Sequence, residues 1–377
     1  MRRLFLVRAT ARLFFVIGTL IGALVFSTGA ALAAAPQVVV SVPPLHSLAA
    51  AVMAGVGKPV LLLTGSTSPH ASSMRPSQAR ALNQADLVVW VGPELEVALT
   101  RAHRASTHAE RWLAVLPMDG IRRLPRRMAS GEAAEEHGKA ETHDGHDAAH
   151  ADHDDHADHH EHGEHAHHDE HEHHDKHEHH EKHEHHDDHE QHTDSGHHDH
   201  DHAGTLDPHL WLDPDNAIVF VRGLAERLSK LSPAHADQFQ ANAARTVTDL
   251  EALKRQLVAS ADPLRGGGYA VYHDAYQYLE RFLGLPAPVV VTVDPDQPRG
   301  ARQVSRLAAR LQQDQVRCLF TEPQFDGALV NALAERLGLQ VGVLDPLGST
   351  LTPGSAAYGQ LLTGLIESMS QCRLAAK

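Results

Sequence analysis

The chain has 377 residues and only two cysteines, Cys318 and Cys372. That excludes any thiolate-rich metal centre such as a zinc ribbon. A strong excess of positive charge is missing as well. Residues 132–202 hold 25 acids against three lysines (Lys139, Lys176, Lys182), a balance of −22, and the rest of the chain carries only +7. Four of those positives are Arg2, Arg3, Arg8 and Arg12 at the extreme N-terminus. A nucleic-acid binder needs a basic face for phosphates, and this nearly neutral balance argues against one. The common catalytic signatures are also absent. There is no G-x-S-x-G, no G-x-x-x-x-G-K-[ST] and no G-x-G-x-x-G after a strand. No His-Glu pair is followed by the second histidine of H-E-x-x-H, so a zinc hydrolase of that kind is excluded. Gly266-Gly267-Gly268 precedes its strand and reads as a turn, not a phosphate cradle. We therefore expect no enzyme.

Long apolar runs are confined to the N-terminus. There Leu13–Phe26 follows the four arginines and precedes Ala31-Leu32-Ala33, an A-x-A cleavage site. The run is shorter than the ~20 residues of a spanning helix. Residues 1–33 therefore read as a signal peptide cleaved near Ala33. No cysteine lies near the cleavage point, so a lipid-anchored form is not expected. The mature protein is expected free in an oxidising compartment, most simply a bacterial periplasm.

From Gln37 onward, short β-branched runs alternate with helical stretches. The runs are 37–42, 58–64, 86–92, 269–274, 287–293, 317–322 and 339–345, and helical segments include Pro43–Val56, Pro76–Asn83, Gln303–Gln313 and Gly327–Leu337. Continuously apolar strands are the mark of parallel sheets covered on both faces. Pro233 to Ala261 reads as one long helix, started by Ser232-Pro233 and stopped by Asp262-Pro263. Three strand runs precede it and four follow. The expected fold is α/β, with two lobes (34–131 with 203–232, and 263–377) joined by a linking helix over 233–262.

Residues 132–202 break the pattern. They hold 27 of the 34 histidines and a near-exact repeat, HEHHDK, HEHHEK, HEHHDD, over 171–188. Such a tract cannot bury enough apolar surface to order itself, so a disordered loop inserted in the first lobe is expected. Solubility alone needs no histidine. Imidazole beside carboxylate suits Zn²⁺, Ni²⁺ or Cu²⁺.

Seven histidines remain: His46, His70, His103, His108, His209, His235 and His273. Four sit in unremarkable places, in polar stretches or first helical turns. His70 follows the run 58–64 through a Gly-Ser-Thr-Ser-Pro turn, and His273 ends a strand, as does Asp345. His209 lies in the Pro-bounded LDPHLWLDP. In open α/β sheets, ligands bind at the carboxyl ends of strands. Three imidazoles plus a carboxylate make a competent tetrahedral zinc set. A strand-end histidine can equally be a satisfied core residue.

The stretches SPHASSMRPSQARALNQADLVVWVGPELE, HLWLDP, YAVYHDAYQYLE, CLFTEPQF and LDPLG narrow the choice. Through them the mature chain resembles the cluster A-I metal-binding family of solute-binding proteins of ABC importers, specifically its periplasmic zinc members. The resemblance implies two lobes on a rigid long helix and a metal site at His70, His209 and His273. Some zinc members have Glu immediately before the first histidine, where this chain has Pro69, so Asp345 or water would be the fourth ligand. Retention of three histidines favours Zn²⁺ over the oxygen-seeking Mn²⁺. An inner-membrane permease with its cytoplasmic ATPase is the implied partner, the protein itself being a monomer. The resemblance, the even cysteine count and the oxidising compartment together suggest a Cys318–Cys372 bridge. The expected function is zinc capture in the cleft and delivery to the permease. The alternative is a metal buffer or metallochaperone for Zn or Ni, acting mainly through the His-rich loop.

Overall fold

In the computed structural model, each sheet strand sends alternate side chains to opposite faces, as the period of two requires. In the first sheet Val38, Val40, Leu87 and Val89 enter one apolar core, while Val39, Val88 and Trp90 enter another on the far face. The second sheet repeats the scheme: Tyr269, Val271, Cys318 and Phe320 face one way, Ala270, Leu319, Val289 and Val291 the other. Both faces are buried, which is why these strands read as unbroken apolar runs. The structure describes residues 34–65, 67–71, 73–127, 206–292 and 300–375. The expected signal peptide and the expected disordered His-rich loop lie outside the described residues.

The first sheet comprises β1 (Val38–Val40), β2 (Val60–Leu61), β3 (Leu87–Trp90) and β4 (Trp112–Ala114), ordered β2-β1-β3-β4 and parallel throughout. Helices α1 (Pro43–Val52), α2 (Pro76–Gln84) and α3 (Val97–Ala105) belong to this half. The second sheet comprises β5 (Tyr269–His273), β6 (Val289–Thr292), β7 (Cys318–Thr321) and β8 (Gln340–Val343), ordered β6-β5-β7-β8 and again parallel. Its helices are α6 (Gln277–Leu283), α7 (Ala301–Gln313), α8 (Ala328–Leu337) and α9 (Ala357–Ala375).

Between the two halves run α4 (Pro214–Leu231) and α5 (Ala236–Ala261), packed along each other. Asp213 caps α4 by accepting the Asp215 amide at 2.9 Å, and Pro214 occupies the first turn, where its missing N–H costs nothing. The long helix has no internal Gly or Pro over 26 residues. It contacts α1, α6 and α9, and its Phe239, Leu250 and Leu257 enter the same core as the inner faces of both sheets. All described residues fall in one compact unit.

Three expectations need correction in detail. The first sheet has four strands, since β4 adds an edge strand from Arg-Trp-Leu-Ala-Val. At three half-buried residues it is too short to stand out as a run. The run 58–64 yields only two regular strand residues, although the Leu62 and Leu63 amides still donate to the Val40 and Ser41 carbonyls at 2.9 and 3.0 Å before the chain turns toward His70. The linking helix starts with a tight 3₁₀ turn at Pro233–His235 before α5 proper. The Cys318–Cys372 disulfide is present, joining β7 to the last turns of α9. Among the described residues no helix is long and apolar enough to cross a membrane.

Candidate metal centre

His70, His209 and His273 converge, their ligand atoms all lying within 4.8 Å of one another. Each arrives from a different element. His70 comes from the turn after β2, with its backbone N–H donating to Ser68 Oγ at 3.3 Å. His209 opens the 3₁₀ turn Leu210–Leu212 that leads into α4. His273 is the last residue of β5.

Two of the imidazoles are held by carboxylates in the same way. Asp207 Oδ1 accepts both the His209 backbone N–H at 3.0 Å and His209 Nδ1 at 2.8 Å. Glu322 Oε1 accepts the His273 backbone N–H at 3.2 Å and His273 Nδ1 at 2.6 Å. With Nδ1 committed to an acceptor, each neutral ring turns the lone pair of Nε2 toward its neighbour, and those two atoms stand 3.3 Å apart. Two lone pairs at that distance repel unless a proton or a metal ion is shared between them. For Zn–N bonds of about 2.0–2.1 Å, the edge of a tetrahedron is about 3.3–3.4 Å. The spacing therefore fits a tetrahedral zinc ion.

Burial sets the electrostatics. His209 is 4% exposed and His273 is 6% exposed. Desolvation, helped by the charge of His273, holds the His209 imidazole well below its ordinary range, so it is neutral and ready to ligate. For His273 desolvation also pulls downward, but the charge and hydrogen bond of Glu322 outweigh it and the net shift is upward. Asp207 is pushed up to about 7, chiefly by burial. An arriving dication would compete with protons for His273 and favour the charged form of Asp207.

The enclosed space is about 10 Å³, room for a single ion or water. Pro69, Trp211, Phe325 and Leu347 supply apolar wall, and Trp211 Nε1 donates across to the Pro346 carbonyl at 2.8 Å. Asp345 is placed differently from the expectation. Its Oδ1 accepts from Gln324 Nε2 at 2.7 Å and the Leu347 amide at 3.1 Å, and its Oδ2 from the amide and hydroxyl of Ser349 at 2.6 and 2.8 Å. Both oxygens close the turn after β8, and Asp345 stands outside the histidine group. Gln324 lines the cavity instead, its Oε1 buried without a hydrogen-bond partner.

Asp207 and Glu322 were not singled out by the sequence reading. The signals existed: an acid two residues before His209, and an acid just past the end of β7, which pairs with the strand carrying His273. The other described histidines have separate local roles. His46 Nε2 bonds the Pro59 carbonyl at 3.1 Å, His235 Nδ1 bonds Ser232 Oγ at 2.9 Å, His108 pairs with Glu110, and His103 packs against Trp90 and Trp112.

Two parallel α/β sheets whose connections bring together three imidazoles, two buried and one half-buried, define a metal-binding protein of the solute-binding class. The family model described as ZnuA, zinc-uptake complex component A, periplasmic, matches residues 38–372. The chain belongs to that family: it is a periplasmic zinc-binding protein of a zinc ABC importer and not an enzyme. It is 34% identical over 335 residues to the high-affinity zinc uptake system protein ZnuA of Brucella abortus, covering 89% of this chain and 91% of that one. The Paracoccus denitrificans protein of the same name is 38% identical over 338 residues, with 89% and 91% covered. A crystal structure of ZnuA shares the fold at 19% identity and a TM-score of 0.61, covering 90% of this chain and 99% of that one. The Ni²⁺ complex of FpvC from Pseudomonas aeruginosa does so at 16% identity and a TM-score of 0.62, with 90% and 98% covered.

Proposed function

We propose that His70, His209 and His273 hold the transported Zn²⁺, with water in the fourth position. The observation that carries this reading is the pair of carboxylate-held imidazoles whose Nε2 atoms stand one tetrahedral edge apart. Asp207 and Glu322 fix tautomer and ring orientation, as acids behind zinc-bound histidines do. Because Gln324 Nε2 faces the acceptor-only carboxylate of Asp345, its orphaned Oε1 is the group free to accept a hydrogen bond from the ion's water. Three nitrogen donors in a dry pocket prefer Zn²⁺ to Mn²⁺.

Around this site we place the rest of the route. The chain is exported by residues 1–33, cleaved near Ala33 and released without a lipid anchor. It works as a monomer with lobes 34–131 plus 203–232 and 263–377 about the helix 233–262, and docks on an inner-membrane permease driven by a cytoplasmic ATPase. Residues 132–202 supply many weak, exchangeable sites that raise the local zinc concentration for the cleft.

The test removes residues 132–202 so that their histidines cannot mask a loss. Zinc is then titrated by competition and counted per chain. The deleted protein should keep one tight ion. His70→Ala, His209→Ala and His273→Ala should each abolish it, whereas His46→Ala and His235→Ala should not. Loss of all tight binding on deletion alone would favour the buffer reading.

A further inference from the structure

The stretch 132–202 is inserted between two strands of chain that meet at the metal centre. Pro125 and Leu206 form an isolated antiparallel bridge, and the Asp207 amide donates to the Leu124 carbonyl at 2.8 Å. This stem leads directly into Asp207 and His209. On its other arm, Arg127 is the last described residue before the insertion, and its guanidinium crosses to the second sheet. Nε donates to Asp274 Oδ2 at 2.8 Å, Nη2 donates to Asp274 Oδ1, and Nη1 donates to Glu280 Oε2 at 2.6 Å.

Those partners are not arbitrary. Asp274 is the residue after His273. Glu280, 4% exposed, accepts on its other oxygen from the hydroxyl of Tyr269 at 3.1 Å, and Tyr269 is the first residue of β5. One guanidinium thus grips β5 at both ends. Tyr278 on α6 adds a second tie, accepting from the Leu124 amide at 3.1 Å and donating to the Asp207 carbonyl at 2.9 Å. The stem that places His209 and the strand that places His273 are therefore bolted together a few covalent bonds from either imidazole.

We propose that Arg127 is a positioning residue for the ion: its guanidinium ties the stem carrying Asp207 and His209 to the residue following His273, and so sets the separation of two ligands that come from different lobes. This rests on the three-histidine zinc site. Nothing in the tie touches the ion, so its effect passes through geometry. Arginine suits the task because its planar fork meets one carboxylate with two parallel bonds while a third N–H reaches another acid. Lysine keeps the charge and loses the fork. The guanidinium also sets a positive charge directly against Asp274 and Glu280.

The test uses the full chain, with a chelator strong enough to strip the weaker sites so that only the tightest is read. Arg127→Gln should weaken zinc by about 10–100-fold, the range for groups behind metal-bound histidines. It should also change the visible absorption of the Co²⁺-loaded protein, which reports ligand geometry. Arg127→Lys should fall in between. Asn242→Ala is the stability control, because Asn242 is buried in α5 and donates to the Val52 and Ala54 carbonyls, both at 2.8 Å. It should lower the melting temperature and leave zinc affinity and the Co²⁺ spectrum unchanged. The proposal is overturned if Arg127→Gln binds zinc within about threefold of wild type with the wild-type Co²⁺ spectrum, or if Asn242→Ala loses affinity as much. Should Arg127→Gln not fold, Arg127→Lys decides on the same criteria. His209→Ala, run alongside, separates the two readings. If it abolishes tight binding while the Arg127 variants behave as wild type, only the positioning role fails.

Discussion

Replacing Glu322 by glutamine separates the two ways in which that carboxylate acts on His273. The side chain keeps its size and can still accept the His273 Nδ1–H, but its charge is gone. At pH 8, where proton competition is weakest, the loss is one of ligand basicity and of field at the ion. Groups in this position are worth about 10–100-fold in metal affinity, or about 1.4–2.8 kcal/mol. At lower pH a second effect opposes the first. In the wild type, Glu322 raises His273 above the ordinary histidine value of 6.5, so protons begin to displace the ion early as pH falls. In Glu322→Gln that pull is absent and burial is opposed only by the charges of Asp274 and Asp207, so proton competition sets in at more acidic pH. The affinity gap between the two proteins should therefore be widest near pH 8 and narrow toward pH 5.5. Competition titrations across that range, in protein lacking residues 132–202, measure both arms. An unchanged affinity at pH 8, or a gap that widens on acidification, would falsify the role assigned to Glu322.

Asp345→Ala should leave the tight zinc site within a few-fold of wild type while lowering stability by about 1–3 kcal/mol through the donors it strands; denaturant titration and zinc competition on one sample check both, and loss of the tight ion would return Asp345 to the shell. The unfolded, unreduced protein should show no titratable thiol. Reducing Cys318–Cys372, which are 54 residues apart, should lower stability by about 4 kcal/mol from loop-closure entropy. Glu96 is 1% exposed, accepts from Ser41 Oγ and the Val91 and Gly92 amides, and is pushed up to about 7 chiefly by burial. A carboxyl raised in the folded state contributes stability that is present below its unfolded value near 4.5 and lost as pH rises through 7. Urea titrations should therefore show wild type losing ground to Glu96→Gln between pH 5 and 7.5, and a difference that does not change with pH would refute this.

The parallel sheets were legible because burial on both faces leaves a strand no room for polar alternation, and Val38–Val40 or Leu319–Phe320 could be little else. β4 was not legible: three half-buried edge residues carry too little pattern. The three histidines stood out because two follow or end strand runs and the third lies in a segment bounded by prolines, and the fold brings all three together. Asp345 had the same strand-end credential, yet the turn at Leu347–Ser349 needed its oxygens for backbone amides, a demand that only coordinates reveal. Asp207 and Glu322 were hidden for the opposite reason. Their task is set by which nitrogen of a neighbouring ring they face, and one-dimensional spacing does not encode ring orientation.

The size of the space between the imidazoles has a consequence for traffic through it. A divalent ion in solution travels inside a shell of several waters, and the space between the imidazoles has room for about one ion or water. Entry is therefore an exchange reaction, in which waters leave as imidazole nitrogens take their places, and the walls of Trp211, Phe325 and Leu347 offer the departing shell nothing to bind. Ions that shed water reluctantly, Mg²⁺ above all, face a higher barrier at that step, apart from any preference for nitrogen. The cleft sorts metals by the cost of undressing them as well as by what it offers in return.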